Sequence, residues 1–391
     1  MLGLSLKMRH VLGTLYTLNF LFGAHVALVV YFHASFLESR GIPATWLGTL
    51  FIAGSVLSII VYYLLPAALN KLGIYKVMAL TAIIEFILFI SIGYSQHIPS
   101  IIIMFILSLG LSRSLSYGLD ILLETNTNNE SSTGDGRSSF LTMLNMAFVI
   151  SPFIAGIVLK TLGFGELYLL SALLLIPFVI LLKREFGNFK NPVYEKLKIL
   201  PTVRSLKSDS SLRNIFIIQF LIRFFFAWMV IYMTIYLNQH IGFSLSSIGI
   251  MFSVMLIPFV LLEWPLGHFA DKKYGEKEFL IAGFIIVALS SYSISYITTA
   301  DFALWMVVLF ITRIGAAIIE VMNEIYFFKH VNNQDTDTIS AFRMLGPLAY
   351  IIAPTIGSLL LFFMPIQYLF GLMGIIMLIG IVASTALNDT K

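Results

Sequence analysis

No cysteine occurs among the 391 residues, which excludes disulfides and thiolate metal sites and removes any sequence mark of the redox compartment. Charge is scarce as well. Only 11 % of the residues are charged, against 59 % hydrophobic and a mean hydropathy of +0.93. A water-soluble domain carries about 25 % charged residues, so the chain reads as an integral membrane protein, all-α in fold class. The net charge of +4 is spread over short loops and forms no basic patch, which argues against a nucleic-acid partner. Also missing are a nucleotide-binding glycine loop and the His-Glu-x-x-His spacing of a zinc site. The longest stretch without an apolar run, about 183–211, is too small to fold alone. The expectation is a protein that is not an enzyme and uses no cofactor and no metal. No cleavable leader is evident, because Met1–His10 precedes a span too long for one.

What is present is about twelve apolar spans, each near the roughly 20 residues that a bilayer crossing needs. Six are expected near 11–36, 45–69, 75–95, 99–123, 138–160 and 165–182. Six more are expected near 213–238, 245–270, 278–298, 301–328, 339–363 and 366–387. This divides the chain into an N-terminal half, 1–183, a linker loop, 184–211, and a C-terminal half, 212–391. Lys and Arg favour one side strongly. Lys7, Arg9, Lys71, Lys76, the linker cations, Lys272, Lys273, Lys277, Lys329 and Lys391 share it, while Arg40 and Lys160 fall opposite. The positive-inside rule then puts both termini and the linker in the cytoplasm, in a plasma-type membrane. The basic linker is expected to lie near anionic lipid headgroups.

The halves repeat each other. Arg113 is followed by Asp120 and Glu124, and Arg313 by Glu320 and Glu324, at the same offsets of seven and eleven residues. Those offsets are roughly two and three helical turns, so each set lies on one narrow face. Phe36-Leu37, Gly41 and Gly48 match Tyr236-Leu237, Gly242 and Gly249, and Asn19 matches Gln219. Two parallel six-helix halves form an architecture of secondary transporters, with the solute site between the repeats near mid-membrane.

After the eighth span comes Gly267-His268-Phe269-Ala270-Asp271-Lys272, followed by Gly275 and Lys277. This resembles the loop signature Gly-x3-Asp-Arg/Lys-x-Gly-Arg/Lys-Arg/Lys of the major facilitator superfamily. In the first half Pro66 and Asn70 replace the Gly and Asp, while Lys71, Gly73 and Lys76 keep the spacing. Asn145, Pro152 and Gly156 partly match an antiporter motif, and Glu130 and Arg137 have the Glu-x6-Arg spacing of a sugar-porter charge network. The resemblance implies a twelve-helix, pseudo-twofold bundle that works by alternating access on a small solute, with no cofactor and as a monomer. It also implies a cytoplasmic gate at Gly267, Asp271, Lys272, Asn70, Lys71, Glu130 and Arg137. Glu124 and Glu324 join that gate on depth.

Charges deep in apolar spans are costly and normally face a protein interior or a water-filled cavity. Arg113, Asp120, Arg313, Glu320, Arg223, Glu85 and His25 are therefore the candidates for proton coupling or solute contact. A carboxyl in a desolvated cavity can bind and release a proton near neutral pH, and Asp120, Glu320 and Glu85 are placed for that. A static network that only braces the bundle remains the plain alternative. Three deep arginines leave a second function open, an organic-anion or organophosphate exchanger, since guanidinium groups grip such anions bidentately. Gly23, at the first-half position matching Arg223, breaks the pair that such an exchanger would use. A sensor or scaffold that keeps the fold without transporting is the third reading.

Overall fold

The computed structural model describes residues 6–126, 130–194, 206–272, 275–331 and 336–387. Among these, the secondary structure is helical, with no strand. The first half comprises α1 (Leu6–Val30), α2 (His33–Ser39), α3 (Ala44–Leu72), α4 (Ile74–Tyr94), α5 (Ile98–Asn126), α6 (Glu130–Thr161), α7 (Phe164–Leu173) and α8 (Leu175–Phe186). The second comprises α9 (Ser210–Ile235), a π turn (Tyr236–His240), α10 (Leu245–Lys272), α11 (Glu276–Ile294), α12 (Phe302–His330), α13 (Thr336–Leu360) and α14 (Gln367–Thr385). Among the described residues, twelve segments are long and apolar enough to cross a membrane, with α7 and α8 acting as one and α9 joined to its π turn.

Contacts divide the chain into two compact units, Met1–Ile42 with Ala53–Lys196, and Pro43–Ile52 with Leu197–Lys391. Each unit pairs its helices in the same way. In the first, α1 packs on α6, and α4 on α5 and α7; in the second, α9 packs on α13, and α11 on α12 and α14. The core of the first unit gathers Leu15, Leu18, Met78, Leu119 and Phe178 from four helices. At the α11–α12 crossing, a Cβ on Gly315 would lie 2.8 Å from the Gly283 carbonyl oxygen, and one on Gly283 would lie 3.0 Å from that of Gly315. Only glycine lets these two backbones approach so closely.

The span expected at 11–36 is interrupted at Tyr31–Phe32, and the chain resumes as α2. α2 ends on Gly41, which adopts φ +87°, and the Ile42 N–H returns to the Leu37 carbonyl at 3.1 Å. In the second half Gly242 adopts φ +92°, and the Phe243 N–H returns to the Leu237 carbonyl at 2.9 Å. The repeat is thus physical: the same leucine carbonyl is closed by the residue after the same left-handed glycine. The second copy contains one extra residue between that leucine and that glycine. The π turn at Tyr236–His240 absorbs it, since a π turn is the helical form of a one-residue insertion.

Candidate functional site

Within the second unit, α9, α12 and α13 bring four charges into one ladder. Arg223 Nη1 lies 2.9 Å from Glu320 Oε1, and its Nη2 lies 4.0 Å from Glu324 Oε1. Arg343 grips Glu324 bidentately, Nη1 to Oε1 at 2.6 Å and Nη2 to Oε2 at 3.1 Å. The fork of a guanidinium matches both carboxylate oxygens, which fixes the geometry as well as the charge. Arg223, Glu320 and Glu324 are 24 %, 28 % and 24 % exposed, so the ladder is not sealed within its unit. Along α12, Glu320 lies about 15 Å from the helix end at His330, and along α9, Arg223 lies about 20 Å from Ser210, at 1.5 Å per residue. Beneath the ladder Asn323 Nδ2 donates to Gln219 Oε1 at 2.7 Å, fully buried.

The repeat places Arg113 and Arg313 alike in sequence, yet their surroundings differ. Arg313 is 2 % exposed, with its guanidinium 5.2 Å from the Phe225 ring centre and 5.7 Å from that of Phe226. Glu320 takes Arg223 as its ion-pair partner. Arg113, Tyr117 and Asp120 line a half-buried face of α5, Glu124 is exposed at its end, and Ser114, Leu115, Gly118, Leu119 and Leu122 form the buried face.

The first unit holds a second, sealed centre. His25 of α1 and Glu85 of α4 are both 0 % exposed, with Nε2 3.9 Å from Oε2. That is longer than a hydrogen bond, and among the described residues no group donates to either Glu85 oxygen. His25 Nδ1 meets the Ser171 carbonyl at 3.0 Å and the Ser171 hydroxyl at 2.9 Å, while that hydroxyl donates to the His25 carbonyl at 2.7 Å. One turn earlier on α7, the Tyr168 hydroxyl lies 2.7 Å from His33 Nδ1. Phe89 packs against His25 at a tilt of 44°, with ring centres 4.4 Å apart. Sequence reasoning named His25 and Glu85 but missed Ser171, His33, Tyr168 and Arg343. Two histidines eight residues apart in an apolar stretch were the available sign for His33; the serine and tyrosine gave none.

At the other end of α3, Asn70 Nδ2 donates to the Tyr194 carbonyl at 2.9 Å and Asn70 Oδ1 accepts from Tyr194 N–H at 3.0 Å. Lys71 is exposed in the last turn of α3. The side chains of Gly267–Lys272, Glu130 and Arg137 lie outside the described residues, although the helix backbone runs through them.

The description Major Facilitator Superfamily matches residues 215–390, and the description MFS_1 like family matches residues 3–138. No curated protein matches the chain in sequence. Among solved structures, the nucleoside transporter NupG superposes with a TM-score of 0.76 at 12 % identity, over 96 % of this chain and 98 % of that one. A bacterial homologue of the human lysosomal transporter Spinster, in an inward-facing and unoccupied conformation, gives 0.71 at 12 % identity, over 98 % of both chains. The human organic anion transporter MFSD10 gives 0.71 at 15 % identity, over 97 % of this chain and all of that one. Two family matches that fall one in each half, twelve apolar spans and a full-length likeness to transporters of this fold agree, and the chain is a multi-pass membrane protein of the major facilitator superfamily.

Proposed function

We propose that the chain is a secondary transporter that moves a small organic solute across the cytoplasmic membrane by alternating access, coupled to protons. The observation that carries this reading is the ladder in which Arg223 and Glu320, well inside apolar helices, join Glu324 and the span-end Arg343, all of them partly exposed. Charge at that depth is retained where it lines a path for solute or ions. The distribution of Lys and Arg supports cytoplasmic termini. The chain works as a monomer, in contact with membrane lipids, and performs no catalysis.

The ladder also bears on the solute. Two arginines face two glutamates, so its formal charge is zero, and both guanidinium groups already hold carboxylates. An anion would have to displace Glu320 or Glu324. A neutral or zwitterionic polar solute, with donors for the glutamates and acceptors for the arginines, fits without that cost. Of the solutes named for the structural relatives, a nucleoside matches this better than an organic anion.

The test is uptake into reconstituted vesicles with a panel of nucleosides, sugars, zwitterions and organic anions, with and without a pH gradient. Gradient-driven uptake of a neutral or zwitterionic solute, lost in Arg223→Ala, is the expected result. Flux of an identified solute that ignores the gradient would remove the coupling. Absence of any flux across the panel would favour the sensor reading.

A further inference from the structure

The His25–Glu85 centre has its chemistry fixed by Ser171. A carbonyl oxygen only accepts, so the 3.0 Å contact between His25 Nδ1 and the Ser171 carbonyl requires a proton on Nδ1. The Ser171 hydroxyl donates to the His25 carbonyl and therefore faces Nδ1 as an acceptor too. Both contacts demand the same tautomer. The lone pair of neutral His25 then sits on Nε2, aimed at Glu85 Oε2 across 3.9 Å.

With Glu85 ionised, an acceptor would face an acceptor in an apolar interior, and a bare carboxylate would lack any described donor. One added proton removes the conflict. It sits on the Glu85 carboxyl, which then faces the Nε2 lone pair as a donor across 3.9 Å, and the pair is neutral overall. A second proton would leave a net positive charge buried beside Phe89. We infer that Glu85 and His25 form a one-proton binding centre sealed inside the first unit, and, resting on the transport reading above, that its proton is the coupling ion. Loading transfers a proton from water to the pair and takes its charge from minus one to zero; unloading returns that proton to water. No covalent bond between heavy atoms changes.

The surrounding groups leave this count intact. α2 contributes His33, held by Tyr168 of α7, and Arg40 beyond α2 is engaged with Gln96 and the Gly93 carbonyl. On α5, Arg113, Tyr117, Asp120 and Glu124 lie away from the buried face, which meets α4 where Gly118 abuts Met78. α1 and α4 themselves bring Arg9, His10 and Lys76 at their starts, α6 carries Glu130, Asp135, Arg137 and Lys160 toward its ends, α7 has Glu166 in its first turn, and α8 carries Lys183, Arg184 and Glu185 in its last turns. The second unit has no copy, because the residue matching His25 is Phe225.

Ser171 is a positioning residue, and the wild-type chain allows the first test. Nitrogen NMR of the histidine-labelled full-length protein is expected to show His25 in its neutral state with the proton on Nδ1; a proton on Nε2 instead would overturn the inference. Infrared spectroscopy at neutral pH is expected to show a protonated carboxyl that disappears in Glu85→Gln, and that variant is expected to bind one proton fewer. An unchanged band and proton count in Glu85→Gln would overturn it. Gradient-driven flux that persists in Glu85→Gln would overturn the coupling role. Absence of flux in the wild type would strike the transport reading, while the proton count would still decide this centre on its own.

Discussion

The side-chain amide of Asn70 and the backbone of Tyr194 exchange two hydrogen bonds, at 2.9 and 3.0 Å, in the manner of one rung of an antiparallel ladder. Beside them Asn191 Oδ1 accepts from the Ile74 N–H at 2.7 Å and from the Tyr194 hydroxyl at 3.1 Å. Together they tie the chain after α8 to the α3–α4 turn. An aspartate at position 70 would keep the acceptor and lose the donor. It would also aim a negative oxygen at the Tyr194 carbonyl. Asn70→Asp is therefore expected to weaken this tie by about 1 kcal/mol at this exposed site, read as faster hydrogen exchange at 191–194. Burial raises the Tyr194 phenol to about 12, so the loss is expected to be independent of pH between about 6 and 9.

Glu320→Gln should turn the ladder into an anion site. Arg223 would keep its full charge and lose the carboxylate at 2.9 Å, leaving only Glu324 at 4.0 Å, which Arg343 already holds. A charge-assisted hydrogen bond contributes roughly 1.5–3 kcal/mol, about tenfold or more in affinity. Thermal stabilisation by a panel of carboxylates and phosphate esters is the measurement. Stronger stabilisation of Glu320→Gln than of the wild type is expected. Equal response would mean that Glu320 does not neutralise Arg223.

The fold was legible because each of its determinants is local and repeated. Span length, Lys and Arg placement, and the match of Leu37 and Gly41 to Leu237 and Gly242 are all properties of short stretches. The interruption at Tyr31–Phe32 was not legible, since that stretch stays apolar on both sides and contains no proline or glycine. The partners of the charges were hidden for a different reason. Glu320 lies seven residues from Arg313 on its own helix, but a side chain pairs with whatever the neighbouring helix offers, and α9 offers Arg223. Arg343 stands in a polar stretch at the start of a span, where its charge looked like an ordinary interfacial cation. Asn70 looked like a decayed aspartate until the Tyr194 backbone showed why an amide suits the position.

Gly41 and Gly242 should respond equally to substitution. Both hold left-handed backbone, at φ +87° and +92°, and a Cβ on either would have no heavy atom within 4 Å. The cost of Gly41→Ala or Gly242→Ala is then conformational alone, about 1–2 kcal/mol. Gly41→Asn and Gly242→Asn should lose less, because asparagine tolerates this region better. Melting temperatures of the four variants check this. A much larger loss at one glycine would show that the two turns carry unequal loads.

Asp209 joins the start of α9 to the end of α12, and its protonation sets the acid limit of that junction. Its Oδ1 accepts from the Leu212 N–H at 3.0 Å as the N-cap of α9, and its Oδ2 lies 2.7 Å from His330 Nε2. Partial burial pushes the carboxyl up, but the Leu212 and Ser211 N–H groups and His330 outweigh it and hold the group below its ordinary 3.8. A carboxyl lowered on folding contributes stability that is complete above its unfolded value and is lost as pH falls through the folded value. The junction should therefore be intact at neutral pH and lose the Asp209 contribution only below about 3.8. Asp209→Ala removes the cap as well as the charge, which costs about 0.5–2 kcal/mol near pH 7. The gap in melting temperature between wild type and Asp209→Ala should then narrow as pH is lowered toward about 3. A gap that widens instead would mean that the carboxylate is strained by burial and that the cap stabilises α9 better when protonated.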